Sequence, residues 1–318
     1  MSGRKAGEFP QLVVITGPTA TGKSTLGVRL AEKINGEIVS ADSMQVYKHM
    51  DIGTAKPTVD EMCGVPHHLI DFIPPSEDYS VARYVKDASK CLDDILFRGK
   101  KPILVGGTGL YIDSLLAGRN FSARADESLR QKLEDEFDSI GGEAMLKKLR
   151  EVDVESAEKL HANDKKRIIR AFEIHTITGK TISQHDKETK KLPPQYDAIK
   201  FALTFSDRAQ LYSRIDVRVD EMLKKGLEEE VRSLLKTGTS RKCTSMQAIG
   251  YKEISAAVTG ETDIKIAVDK VKTESRRYAK RQLTWLRRDN EVSWITWESS
   301  PDFDRGVREI MELIHEAK

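Results

Sequence analysis

The sequence is poor in cysteine, in long apolar runs and in net charge, and each shortage removes a class of protein. Three cysteines, Cys63, Cys91 and Cys243, stand far apart in 318 residues, odd in number and with no C-x-x-C pair. That spacing excludes a disulfide framework and a cysteine zinc site, and it points to a reducing compartment. No apolar run approaches the roughly 20 residues that span a bilayer. The opening MSGRKAGEFPQ is polar and has no apolar core for a signal peptide. A soluble, cytoplasmic chain with no membrane partner is therefore expected. The net charge of +2 is too small to name a partner, although positive residues cluster late in the chain. There is no low-complexity tract and no internal repeat. With 39% hydrophobic and 32% charged residues, the composition excludes disorder and suits one large domain or two modest ones.

What is present has a clear rhythm. QLVVIT (11–16), EIVSAD (37–42) and PILVGG (102–107) read as buried strands, and HHLIDF (67–72) is a further candidate, stopped by Pro74 and Pro75. Between them, Leu26, Leu30 and Ile34 recur at helical spacing, as do Val81, Val85, Ala88, Leu92 and Ile95 ahead of Gly99. Strands alternating with helices imply right-handed βαβ units and a parallel sheet covered on both faces. After Gly118 the pattern changes to charged helical sequence until Pro193 and Pro194, and AIKFALTF (198–205) reads as a strand again. Helices follow over LYSRIDVRVDEMLKKGLEEEVRSLL and over 265–288, and VSWITW (292–297) is the last strand candidate. The expected fold is α/β: a P-loop NTPase-like parallel sheet flanked by helices. Residues 1–119 and 196–318 make its two parts, and 120–195 form a helical insertion domain.

The stretch GPTATGKS matches the P-loop pattern in full. Gly17 and Gly22 allow backbone torsions closed to other residues. The loop Gly17, Pro18, Thr19, Ala20, Thr21 and Gly22 then turns the N–H groups it has toward an anion at a helix N-terminus. Lys23 supplies a point charge, and the Ser24 hydroxyl is placed to ligate Mg²⁺. A P-loop holds a polyphosphate without saying whose. An ATPase usually ends a later strand in aspartate, whereas PILVGG runs into Gly106, Gly107, Thr108, Gly109, Leu110 and Tyr111 with no carboxylate. The acid at a nearby strand end is Asp42, which speaks against a nucleotide-hydrolysing enzyme.

GPTATGKS, SADSMQVY, MDIGTAKP, GGTGLY, RIIRAFEI, QAIGYKE and KRQLTWLR, in this order from Gly17 to Trp297, resemble the tRNA dimethylallyltransferase family in its bacterial form. The resemblance implies transfer of a dimethylallyl group from dimethylallyl diphosphate to N6 of an adenosine adjacent to the anticodon, with Mg²⁺ as cofactor. The loop residues 17–24 then hold the donor's diphosphate, which is the leaving group. Asp42 is implied as general base, consistent with a strand end that faces the crevice of an open α/β sheet. Asp42 also fits a magnesium second shell or a helix cap. Thr108 is implied near the adenine, and it also fits an N-cap for a helix from Leu110. Ser43, Met44 and Gln45 are implied to contact the target nucleotide, with a core role open for Met44.

An arginine is implied on the diphosphate. Arg214 and Arg218 share a helical face at i, i+4, and Arg214 is the first choice. Ion pairs with Asp216, Asp220 or Glu221 are the alternative. Two basic stretches suit RNA phosphates. The first, in the insertion, runs from Lys165 through Lys166, Arg167, Ile168 and Ile169 to Arg170. The second spans 275–288, where Lys280, Arg281, Gln282, Trp285 and Arg287 are site candidates and Tyr278 is interleaved. Its apolar members suit core packing equally. Gln247, Gly250, Tyr251 and Lys252 belong to the same implied set. Adjacent His67 and His68 face opposite ways on a strand, so with Asp71 they are read as structural rather than metal ligands. The expected partner is a tRNA anticodon stem-loop whose target base flips out, bound by a monomer. The absence of a Cys/His cluster near Lys318 fits the bacterial form, which lacks the zinc finger of eukaryotic relatives. Prenylation of free adenine nucleotides, a P-loop small-metabolite kinase and a non-catalytic RNA-binding module remain the competing readings.

Overall fold

The computed structural model describes residues 11–118, 126–189 and 194–316. The polar opening, the boundary placed at 119/120 and Pro193 lie outside these residues. Contact density divides the chain into one unit of two segments, up to Leu116 and from Tyr196, and a second unit, Ala117–Gln195.

The first unit is built on six strands: β1 Leu12–Thr16, β2 Gly36–Ser40, β3 His67–His68, β4 Lys101–Val105, β5 Ala198–Phe205 and β6 Val292–Trp297. All pair in parallel, in the order β3-β2-β4-β1-β5-β6. Every residue of β1 and β2 is buried; β1 therefore reads as a continuous apolar run, while β2 also buries Glu37, which Arg98 and His68 hold. Val13 pairs with Ile103 on one side and Ile199 on the other. The core around them includes Leu26, Leu30, Phe201, Leu203, Ile295 and Trp297. β3 is shorter than the HHLIDF run suggested. Leu69 and Asp71 adopt φ of 60° and 56°, left-handed torsions that no strand continues through.

Helices Lys23–Ile34, Val81–Phe97 and Gly109–Leu116 follow β1, precede β4 and follow β4. Helices Arg208–Lys224, Leu227–Lys236, Tyr251–Val258 and Ile264–Leu286 lie between β5 and β6. A last helix, Phe303–Glu316, buries Gly306, Ile310 and Ile314 at i, i+4, i+8. The sheet steps one way from β1 to β2 and β3, and the other way from β4 to β5 and β6. The carboxyl ends of β1, β2 and β4 therefore open one crevice, where open α/β sheets take ligands.

The second unit is entirely helical among its described residues, from Glu127–Ile140 through Ile182–Thr189. Leu149, Ala157 and Ala171 form its buried core, with Leu146, Leu160, Phe172 and Ile182 packed around them.

Candidate active site

The loop after β1 turns into the helix Lys23–Ile34 through Gly17 (φ 141°) and Gly22 (φ 87°), with Ala20 also left-handed at 65°. Internal bonds keep it curled. Thr21 Oγ1 donates to the Pro18 carbonyl at 2.8 Å, and Lys23 Nζ donates to the same carbonyl at 2.7 Å. Three outside groups hold it as well. Trp297 Nε1 donates to the Thr21 carbonyl (3.0 Å), Arg214 Nε donates to the Ala20 carbonyl (3.2 Å), and the Thr19 N–H donates to Gln282 Oε1 (3.2 Å). Ser24 is exposed on the wall of the cavity that the loop borders.

Asp42 follows β2, and its Oδ1 accepts the N–H groups of Met44 (2.8 Å) and Gln45 (3.3 Å). It therefore does cap a turn, but with one oxygen only. Oδ2 takes part in none of the hydrogen bonds among the described residues, and it belongs to a half-buried side chain on the cavity wall. Thr108 follows β4. Its N–H donates to the Ala41 carbonyl (3.1 Å), and its Oγ1 accepts the Ser43 N–H (3.0 Å). Gln45 Nε2 donates to the Thr54 and Ala55 carbonyls at 3.3 and 3.2 Å, fixing the DIGTAKP loop. Glu230 holds the other end of that loop by accepting the N–H groups of Asp51, Ile52 and Gly53.

These loops enclose a cavity of about 700 Å³ in the first unit. Lys23, Ser24, Asp42, Arg218, Tyr278 and Arg281 line it. The volume is that of a small-molecule site. Burial, and then the nearby Arg218 guanidinium, lower the Lys23 ammonium to about 7, while Asp42 pulls the other way. Burial, and then the charge of Asp42, push the Tyr278 hydroxyl up to about 12, and Thr108 lies within its hydrogen-bonding reach. Cationic groups from the loop and from the helix 208–224, lining one cavity with a carboxylate, make a site for an anionic leaving group and a proton-losing nucleophile.

Several sequence expectations are redistributed here. Of Arg214 and Arg218, it is Arg218 that lines the cavity. Arg214 is exposed, its guanidinium over the Phe205 ring and on the Ala20 carbonyl, so it braces the loop from behind. Tyr251 is fully buried and donates its hydroxyl to Glu230, which leaves its side chain no RNA-facing surface. Ile168 and Ile169 are 0% and 2% exposed, which leaves neither side chain a surface for RNA. On the same helix Lys166 and Arg167 are exposed, and Arg170 pairs with the buried Glu173 at 3.1 Å. Gln282 is buried, and Trp285 packs on Gly109 with Nε1 donating to Asp113 at 2.8 Å. Lys280, Arg281 and Arg287 are exposed, as are Gln247 and Lys252, while Gly250 is buried. Gln247 and Gly250 line the cavity. Arg276 and Arg277 pair with Asp216 and Glu274. His68 bonds Glu37, and His67 Nδ1 lies 2.8 Å from the Val65 carbonyl.

Sequence reasoning missed Glu230, Trp297 and the clamp by Gln282. The bare sequence carries no signal for an acid that binds a loop 178 residues away. Tyr278 was read only as an aromatic interleaved among the basic residues of 275–288, and it lines the cavity.

A family model described as IPP transferase matches residues 45–289, and one described as isopentenyl transferase matches 10–71. A tRNA dimethylallyltransferase of Thermoanaerobacter sp. (strain X514) is 46% identical over 306 residues, covering 96% of this chain and 97% of the relative. One of Acetivibrio thermocellus is 48% identical over 303 residues, covering 95% and 96%. The crystal structure of a tRNA isopentenylpyrophosphate transferase from Bacillus halodurans superposes with a TM-score of 0.72 at 44% identity, covering 95% of both chains. A eukaryotic dimethylallyltransferase acting on tRNA gives a TM-score of 0.78 at 31% identity, over 94% of this chain and 77% of that one. The sheet, the phosphate loop and these matches agree: the chain belongs to the IPP transferase family, that of the tRNA dimethylallyltransferases.

Proposed function

We propose that the protein transfers the dimethylallyl group of dimethylallyl diphosphate to N6 of the adenosine adjacent 3′ to the anticodon of a tRNA, releasing diphosphate. One observation carries the reading. A single cavity is lined by residues of the anion-binding loop, by Lys23 and Arg218, and by Asp42, whose Oδ2 stands outside the internal hydrogen bonds and whose charge acts on both cations.

In this reading the diphosphate sits on the loop N–H groups other than that of Thr19, which Gln282 holds, with Lys23 and Arg218 about it. As the allylic C–O bond breaks, its electron pair passes to the diphosphate oxygen, and these fixed charges stabilise the growing anion. The N6 lone pair forms the new bond to the allylic carbon, and the N6 proton passes to Asp42 Oδ2. Thr108 holds the Ser43 backbone beside that carboxylate. Magnesium fits the donor set. The Ser24 hydroxyl, a hard oxygen donor beside Lys23, is the residue that would hold an ion that takes few protein ligands. No group of three His, Cys, Asp or Glu offers an all-protein cage among the described residues. Bound there, the ion adds positive charge to the departing diphosphate.

A base stacked in a tRNA loop does not reach a half-buried aspartate, so the target adenosine is flipped into the cavity. Lys166 and Arg167 of the helical unit, with Lys280, Arg281 and Arg287, take the tRNA phosphates. In this reading the protein acts as a monomer. No described helix is long and apolar enough to cross a membrane, and we place the activity in the cytoplasm. Incubation with an unmodified tRNA, dimethylallyl diphosphate and Mg²⁺, followed by nucleoside mass analysis, tests this. Dimethylallyl-adenosine in the tRNA is the expected product. Prenylated free adenine nucleotide, or ATP turnover without prenyl transfer, would overturn the reading.

A further inference from the structure

We propose that Gln282 is a positioning residue that fixes the spacing between the leaving-group loop and the acceptor side of the cavity, rather than a contact for RNA. The proposal rests on the prenyl-transfer reading above. Its side chain is 6% exposed and reaches two loops at once. Oε1 accepts the Thr19 N–H of the phosphate loop at 3.2 Å, and Nε2 donates to the Gly107 carbonyl, next to Thr108, at 2.9 Å. The two partners assign the amide's orientation between them, since one is a donor and the other an acceptor.

The fit leaves no slack. A methyl group on Gly107 would lie 2.3 Å from Gln282 Nε2, so the amide occupies the space a side chain would need. One turn earlier on the helix Ile264–Leu286, Tyr278 faces the same cavity near Thr108 and Asp42. That helix is itself held to the helix bearing Arg218 by Arg276–Asp216 (2.7 Å) and Lys272–Asp220 (2.6 Å). A single element thus touches the diphosphate cradle through Gln282 and the acceptor side through Tyr278. Displacement of an allylic diphosphate by an amine needs donor carbon and nitrogen at contact distance, and an error near 1 Å can cost about 100-fold in rate.

Two variants test the clamp. Gln282→Met keeps length and apolar fit but loses both bonds. Its kcat should fall about 10–100-fold, with tRNA affinity and its salt dependence unchanged, and with melting curves used to correct for any unfolded fraction. Gln282→Glu sets an ionised carboxylate against the Gly107 carbonyl. A protonated carboxyl accepts from Thr19 and donates to Gly107, so kcat of this variant should recover as pH falls, unlike wild type. If Gln282→Met does not fold, this pH profile carries the test. A Gln282→Glu profile parallel to wild type overturns the proposal. So does Gln282→Met with wild-type kcat and a weakened, less salt-sensitive hold on tRNA. Affinity for inorganic diphosphate, measured by calorimetry without tRNA, separates the two readings. A wild-type protein inactive in prenyl transfer refutes the function. A Gln282→Met protein that binds diphosphate as wild type does and keeps its kcat refutes the clamp.

Discussion

Thr108 Oγ1 accepts the Ser43 main-chain N–H at 3.0 Å, so one hydroxyl joins the loop after β4 to the loop that carries Asp42. Thr108→Val keeps the shape but leaves that N–H without its acceptor, a loss worth about 1–3 kcal/mol locally. The kcat of this variant should fall about 10–100-fold. Thr108→Ser, which keeps the oxygen, should recover most of it. Steady-state kinetics of the three proteins against tRNA provide the check.

Arg218 and Arg214 are one helical turn apart and should behave differently. Arg218→Gln removes a cation from the cavity, and hydrogen bonds to charged groups are worth about 1.5–3 kcal/mol. The KM for dimethylallyl diphosphate should therefore rise about 10–100-fold. Arg214→Gln removes an exposed brace and should change it by no more than a few-fold. Equal effects at the two positions would contradict the placement of Arg218.

Lys23 gives a signed pH effect. Its ammonium stands at about 7 in the folded chain against 10.5 in the open one. Between these values the unfolded chain binds the extra proton, so this group makes stability rise with pH across that window. A diphosphate arriving beside Lys23 favours the charged form and raises its pKa again. Donor binding at pH 8 should therefore take up a proton, seen by calorimetry in buffers of different ionisation enthalpy. Lys23→Met should abolish the uptake.

Much of the sheet was legible because buried parallel strands are apolar runs, as in LVVIT and KPILV, and because the half-exposed AIKFALTF and VSWITW are rich in β-branched and aromatic residues. HHLIDF looked similar and yields only two strand residues, since left-handed torsions at Leu69 and Asp71 do not show in hydrophobicity. The helix Phe303–Glu316 went unread, although Gly306, Ile310 and Ile314 carry its period. The site was legible where a residue's place follows from the strand it ends, as for Asp42 and Thr108. It was less so on helices, where consecutive residues point about 100° apart. A contiguous stretch such as KRQLTW therefore divides between solvent (Lys280, Arg281), the phosphate loop (Gln282) and the core (Leu283). The same division buries Ile168 and Ile169 while Lys166 and Arg167 face water.

Asp42→Asn bears most directly on the central claim. Asparagine keeps an oxygen for the Met44 and Gln45 N–H groups, so the turn and the tRNA affinity should persist, while the group that takes the N6 proton is lost. Single-turnover prenyl transfer on pre-bound tRNA should slow by about 10²–10⁴-fold. A variant that binds tRNA and transfers the prenyl group at the wild-type rate would contradict the role given to Asp42.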